Sequence, residues 1–248
     1  MLIKVVNPNT SADMTAIIGQ AALGVAAPGT TIRAVTSRMG PASIESHYDE
    51  ALSVPGVLAE IAGADGYVIA CFGDPGLDAA REIADGPVVG VAEAAMHAAS
   101  FLGRGFTVVT TLARTAGRAW DLADRYGLAR LCRRVRACEV PVLEVALAEK
   151  AITEECRTAA VQDGCDAIVL GCAGMADLAA RLTAEIGLPV IDGVAAATLQ
   201  AQSLVAMGLR TGSRHEYAPP PPKPYTGLLA EFAVGRARSA ESGGPVTS

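Results

Sequence analysis

Two cysteines, Cys71 and Cys172, stand at matching points of an internal repeat. The first copy reads DGYVIACFGDPGLDAAR from Asp65 to Arg81, the second DAIVLGCAGMADLAAR from Asp166 to Arg181. In each, an Asp precedes the Cys by six residues with an apolar run between them, and a Leu follows by six (Leu77, Leu178). The thiols are 101 residues apart, one in each half of the chain. An apolar run bounded by Asp and Gly reads as a buried parallel strand, and the alanine-rich stretch after it as a helix. Each Cys then lies at the carboxyl end of a strand, where open α/β sheets bind ligands. The N–H groups opening the next helix favour an anion, a setting expected to lower the thiol pKa and supply thiolate near neutral pH. Two such thiols across one cleft can invert a stereocentre without a cofactor. One takes a proton from a carbon acid and the other delivers a proton to the opposite face. Turn N–H groups beside each Cys can stabilise the carbanion through an adjacent carbonyl.

The other cysteines, Cys132, Cys138, Cys156 and Cys165, read as small buried hydrophobes. No CxxC occurs, and His47, His97 and His215 are not paired at ligand spacing, so no metal is expected. No GxGxxG fingerprint appears and no motif marks a Schiff-base lysine, so no cofactor is expected.

The elements that must position the thiols follow in a regular order. Leu2–Val6 reads as a strand ending in NPNTS, where Thr10 or Ser11 can cap a helix over about Ala12–Val25. NPNTS is either a capped strand-to-helix turn or a ligand contact through Asn9 and Thr10. Thr31–Ser37 is a second strand, and Ile44 to about Ala62 a helix that Val54-Pro55-Gly56 should kink or break. Glu45, His47 and Tyr48 read as a solvated face. The first Cys unit follows with strand Tyr67–Ala70 and helix Gly76–Ala84, then strand Val88–Val91 and helix Ala92–Phe101. A second series opens with strand Phe106–Thr110, whose end at Thr110-Thr111 matches Asn9-Thr10, and helix Leu112–Tyr126. A strand near Val135–Cys138, a helix of about Glu144–Gln162, the second Cys unit, strand Pro189–Ile191 and helix Gly193–Met207 complete it. This alternation predicts an α/β fold of two pseudo-symmetric domains, each a parallel sheet flanked by helices, with the site in the cleft between them. The expected divisions are a first domain from 1–97 and a second over 98–207, with 235–248 as a disordered tail. PPPPKP should be extended and Leu228–Val234 a short helix.

Composition limits the partners. A net charge of −6 leaves no basic footprint for nucleic acid, and no apolar run or leader suggests a membrane or secretion. A cytoplasmic protein is expected, with homo-oligomerisation expected only from its frequency among soluble enzymes.

NPNTS at Asn7–Ser11, ACFGDPGL at Ala70–Leu77, VTT at Val109–Thr111 and LGCAGM at Leu170–Met175 together resemble the aspartate/glutamate racemase superfamily, in its hydantoin and allantoin racemase branch. The resemblance spans about residues 1–232. It implies that Cys71 and Cys172 are the acid and base, and that Asn9, Thr10, Thr110 and Thr111 hold the substrate. It also implies that the last helix returns to the first half, which adds about 208–234 to the first domain and makes it discontinuous. Amino-acid racemases of the superfamily carry Cys-Asn-Thr and Cys-Thr, whose side chains serve an α-carboxylate. Here Phe72-Gly73 and Ala173-Gly174 follow the cysteines. They leave only backbone N–H groups beside the thiols, which favours a neutral cyclic ureide. An amino-acid racemase or an arylmalonate-type decarboxylase is the alternative enzyme, although a decarboxylase needs only one cysteine. A non-catalytic two-domain binding protein is the alternative from another class, and it should tolerate thiol alkylation. Racemisation is expected to survive exhaustive dialysis against a chelator. Loss of activity restored by zinc would overturn the two-thiol scheme.

Overall fold

The computed structural model describes residues 1–233; the expected tail at 235–248 lies outside the described residues. Two parallel four-stranded sheets carry the fold. The first contains β1 (Leu2–Asn7), β2 (Thr31–Thr36), β3 (Gly66–Ile69) and β4 (Val88–Gly90), in the order β2-β1-β3-β4. The second contains β5 (Phe106–Thr110), β6 (Cys132–Ala137), β7 (Ala167–Gly171) and β8 (Val190–Ile191), in the order β6-β5-β7-β8. The inner strands β3, β5 and β7 are buried throughout, as their continuous apolar runs require, whereas the edge strands β2 and β6 alternate or stay partly exposed.

The helices are α1 (Ala12–Gly24), α2 (His47–Glu60), α3 (Leu77–Ile83), α4 (Val91–Ser100), α5 (Ala116–Arg125), α6 (Glu149–Gln162), α7 (Ala179–Ile186) and α8 (Gly193–Ala206). Ser11 caps α1, its Oγ accepting the Met14 N–H at 3.2 Å. Helix α2 starts three residues later than expected, because Ser46 and Asp49 cap each other reciprocally. It also runs unbroken through Pro55. Gly56 lets that stretch lie against the preceding loop, since a Cβ there would stand 2.3 Å from the Met39 carbonyl. Three expected helices begin as 3-10 turns, at Ala113–Thr115, Val142–Leu147 and Ala173–Leu178, and the expected Leu228–Val234 helix is a 3-10 segment over Gly227–Phe232. No helix among the described residues is long and apolar enough to cross a membrane.

The helices that follow the last strand of each sheet are exchanged. Helix α4 leaves β4 of the first sheet and turns Ala92, Ala95, Met96 and Ala99 onto Phe106, Val108, Ala167 and Val169 of the second. Helix α8 leaves β8 of the second sheet and packs Val194, Ala197 and Ala201 into the core of Ile3, Val5 and Val68 under the first. The two helices lie against each other, with small residues allowing close approach. The segment after α8 runs back to α3, where Tyr217 Oη donates to Asp78 at 3.0 Å.

The repeated Asp has a local role in both copies. Asp65 accepts the Leu2 N–H at 2.7 Å, and Asp166 accepts the N–H groups of Arg104 and Gly105 at 2.7 and 3.0 Å. Each carboxylate thus ties the start of a Cys-bearing strand to the start of the strand beside it. Asp166→Ala is expected to cost about 1 kcal/mol, read as a lower urea midpoint at unchanged slope. An unchanged midpoint would refute this role.

Candidate active site

In each sheet the chain order reverses beside the first strand, so the crevice lies between β1 and β3 and between β5 and β7. Cys71 follows β3 after one intervening residue and Cys172 follows β7 directly, which puts one thiol at each crevice. The two crevices face a common cleft, open to solvent, with a cavity volume of about 60 Å³. Its walls hold Cys71, Phe72 and Gly73 from the first half and Thr110, Thr111 and Gly171 from the second. Cys172 stands just behind Gly171, and its charge is felt at the Cys71 sulfur.

The other expected contacts lie elsewhere. Thr10 is exposed and holds the Pro41 carbonyl through its N–H and hydroxyl. Asn9 is buried inside its own turn, with Oδ1 accepting from Asn7 Nδ2 at 2.8 Å and from the Ser11 N–H at 2.9 Å. Neither lines the cleft. The register explains why: Val6 pairs with Ile69 and Val109 with Leu170, each partner two residues before its Cys. The counterpart of Thr110 is therefore Asn7. Ala173 and Gly174 are buried, and α1 covers the Gly174 turn, where a Cβ would lie 3.4 Å from Met14 Cε.

Residues from α2 and α5 complete the site. The Ile44–Glu50 segment lies over the cleft and is clasped to the second half at two points. Glu45 Oε1 accepts the Val142 N–H at 2.8 Å, and Glu50 pairs with Arg118 at 2.6 Å. Arg118 also donates to the Gly73 carbonyl at 2.8 Å, while His47 and Arg114 stand on the rim. Burial raises the Glu50 pKa, and Arg118 and then His47 oppose that shift. Glu45 and His47 read as solvated by sequence; their place at the end of the loop that leaves the carboxyl end of β2 was the available signal. Among the described residues, no group of His, Cys, Asp and Glu could hold a metal ion.

The thiols differ from expectation in their ionisation. Burial pushes Cys71 up to about 12, with the charges of Cys172, Asp74 and Glu50 adding to it and the Gly73 N–H opposing. Burial pushes Cys172 up to about 11, opposed by the Gly174 N–H and reinforced by Cys138 and Glu45. The helix-terminus argument fails because neither Cys adjoins an α-helix. Five residues of turn separate Cys71 from α3, and a 3-10 turn separates Cys172 from α7. One N–H, two residues on, is what reaches each sulfur. Both thiols therefore hold their protons more tightly than an ordinary cysteine does.

Residues 3–201 match the Asp/Glu/Hydantoin racemase family. The chain belongs to that family. It is 46% identical to a hydantoin racemase of Pseudomonas sp. (strain NS671), with 94% of this chain and 97% of that protein covered. Among solved structures, an allantoin racemase from Klebsiella pneumoniae is 48% identical with a TM-score of 0.92, covering 94% of this chain and 99% of that one. An allantoin racemase from Pseudomonas fluorescens is 37% identical with a TM-score of 0.88, covering 92% and 100%. The two-sheet architecture of this racemase-family chain is thus shared almost residue for residue with those enzymes.

The raised thiol pKa values carry a sign. A group held above its ordinary value ionises later, so the thiolate fraction at both positions should still be climbing where an ordinary thiol, near 9.0, has levelled off. Alkylation of Cys71 and Cys172 by iodoacetamide, followed by mass spectrometry, is expected to accelerate steadily from pH 7 past about pH 10.5. A plateau below pH 8 would show that one thiol is ionised in the free protein.

Proposed function

We propose that this chain racemises 5-substituted hydantoins or allantoin, with Cys71 and Cys172 as a cofactor-independent acid/base pair. What supports this reading is Cys71 on the cleft wall, with Cys172 near enough to raise its pKa, in a chain close in sequence to hydantoin and allantoin racemases. One thiolate removes the proton at C5 of the ring, and the electron pair moves into the adjacent carbonyl. The opposite thiol then donates its proton to the other face of C5, and the roles are reversed for the other enantiomer. Neutral thiols suit the donor role. The N–H that each sulfur receives supports the thiolate once a proton has left.

A ureide fits the lining better than an amino acid. Phe72 and Ala173 follow the thiols with no hydroxyl or amide to receive an α-carboxylate, and the polar groups of Thr110 and Thr111 stand at the second crevice. A cytoplasmic location is part of this reading, since six unpaired cysteines suit a reducing compartment.

Enantiopure 5-alkylhydantoin and allantoin should lose optical activity on incubation with the protein, whereas aspartate and glutamate should not. Cys71→Ser and Cys172→Ser should each abolish racemisation, since an unshifted hydroxyl is a far poorer base than a thiolate. In heavy water each variant should exchange the C5 proton of one enantiomer, and the two should choose opposite ones. Full racemisation by either variant would rule out the two-base scheme. Exchange of the same enantiomer by both would rule out one thiol per face.

A further inference from the structure

The turn that carries Cys71 is held by a device that the Cys172 turn lacks. Asp74, three residues after Cys71, is buried and takes a positive φ of 46°, which is strained for a residue other than glycine. Its N–H bonds to the Cys71 carbonyl at 2.9 Å and closes the turn. Its carboxylate then accepts three donors from two other elements. These are the Ala92 N–H at 3.0 Å and the Glu93 N–H at 2.9 Å, both at the start of α4, and Tyr126 Oη at 2.6 Å, just past α5. Gly90 is required by this arrangement, since a Cβ there would lie 2.3 Å from the Asp74 carboxyl carbon.

Helix capping alone does not explain Asp74. Helix α8, the counterpart of α4, is capped by its own preceding residue, Asp192, whose carboxylate accepts the N–H groups of Val194 and Ala195. Helix α4 has Gly90 at that position, and its cap comes from the Cys71 turn instead. The residue matching Asp74 in the second repeat is Met175, buried and apolar. One side of α5 holds the Cys71 turn at further points, through Arg118 to the Gly73 carbonyl and Arg125 to Asp78. The Cys172 turn is held by apolar packing instead, Ala173 and Ala176 against Met14 and Val194, and Met175 and Leu178 against Val145 and Leu182.

We propose that Asp74 and Tyr126 are positioning residues for Cys71: they fix the turn bearing the first half's thiol against helices packed with the second half. The inference rests on the two-thiol reading of the cleft. The groups facing Asp74 are Tyr126, Cys71 and Glu93, the last already paired with Arg81 at 2.6 Å. Removing the Tyr126 hydroxyl deletes the one side-chain donor to Asp74 while keeping the ring that fills the space.

The decisive comparison uses Cys172→Ser and Cys71→Ser, each with and without Tyr126→Phe, in heavy-water exchange of enantiopure 5-alkylhydantoin. Tyr126→Phe is expected to slow exchange by about tenfold where Cys71 is the remaining thiol, and to leave exchange by Cys172 within about twofold. Equal slowing in both backgrounds, or slowing in neither, would overturn the proposal. Alkylation gives a reading independent of turnover. In Tyr126→Phe with both cysteines intact, Cys71 should alkylate at least about threefold faster and Cys172 at its former rate, because a loosened turn opens locally. Were neither single-cysteine variant to exchange any ureide, the two-thiol function would have failed. Alkylation would then decide the positioning by itself, with an unchanged Cys71 rate overturning it.

Discussion

The site depends on the exchange of α4 and α8 between the two sheets. A parallel sheet presents its ligand-binding edge at the carboxyl ends of its strands. Two thiols on two sheets can share a cleft only if those edges are held face to face. Helix α4 does this from below. Its start is bound by Asp74 in the Cys71 turn, and its alanine-lined side is buried under the second sheet. Gly193 allows α8 to begin directly against that start, since a Cβ there would stand 2.7 Å from the Val91 carbonyl. Separating the halves would expose Ala92, Ala95, Met96 and Ala99 together with the strand residues beneath them. The apolar cost of such an opening opposes it.

The same burial that orders the cleft sets its acid/base chemistry. A thiol withdrawn from water holds its proton, because the thiolate loses more hydration than one N–H restores. For a one-base enzyme this would be a liability. A two-base racemase needs one thiol protonated at every moment, and repulsion between two adjacent thiolates favours the singly ionised pair. The clasp of Glu45 and Glu50 over the cleft adds negative charge near both sulfurs. It thereby favours the protonated form of each thiol and makes the thiolate, once formed, the stronger base. Arg118 partly balances this at Glu50.

The repeat made much of the architecture legible from sequence. The spacing Asp, apolar run, Cys, turn, Leu dictates a buried strand and the residue at its carboxyl end, because strand burial and turn chemistry are local. The element order puts Cys71, Phe72, Gly73, Thr110 and Thr111 at or just past strand ends, and in the structure these five line the cleft. Asn9 was misplaced because a turn of NPNTS type offers several polar side chains at once. Only the register, which pairs Val6 with Ile69, distinguishes Asn7 as the strand-end residue.

What sequence determined by itself was two βα series, the sheets they form, and a thiol at the active edge of each. Tertiary structure alone decided which sheet α4 and α8 cover, that Ile44–Glu50 folds over the cleft, that Arg118 and Tyr126 reach the Cys71 turn, and that burial raises both thiol pKa values. These features join residues from separate elements, such as Asp74 to Tyr126 and Glu45 to Val142. No local periodicity encodes such pairs. The ionisation of a buried thiol likewise depends on how much water the whole fold excludes from it, a quantity that no neighbouring residue in the chain carries.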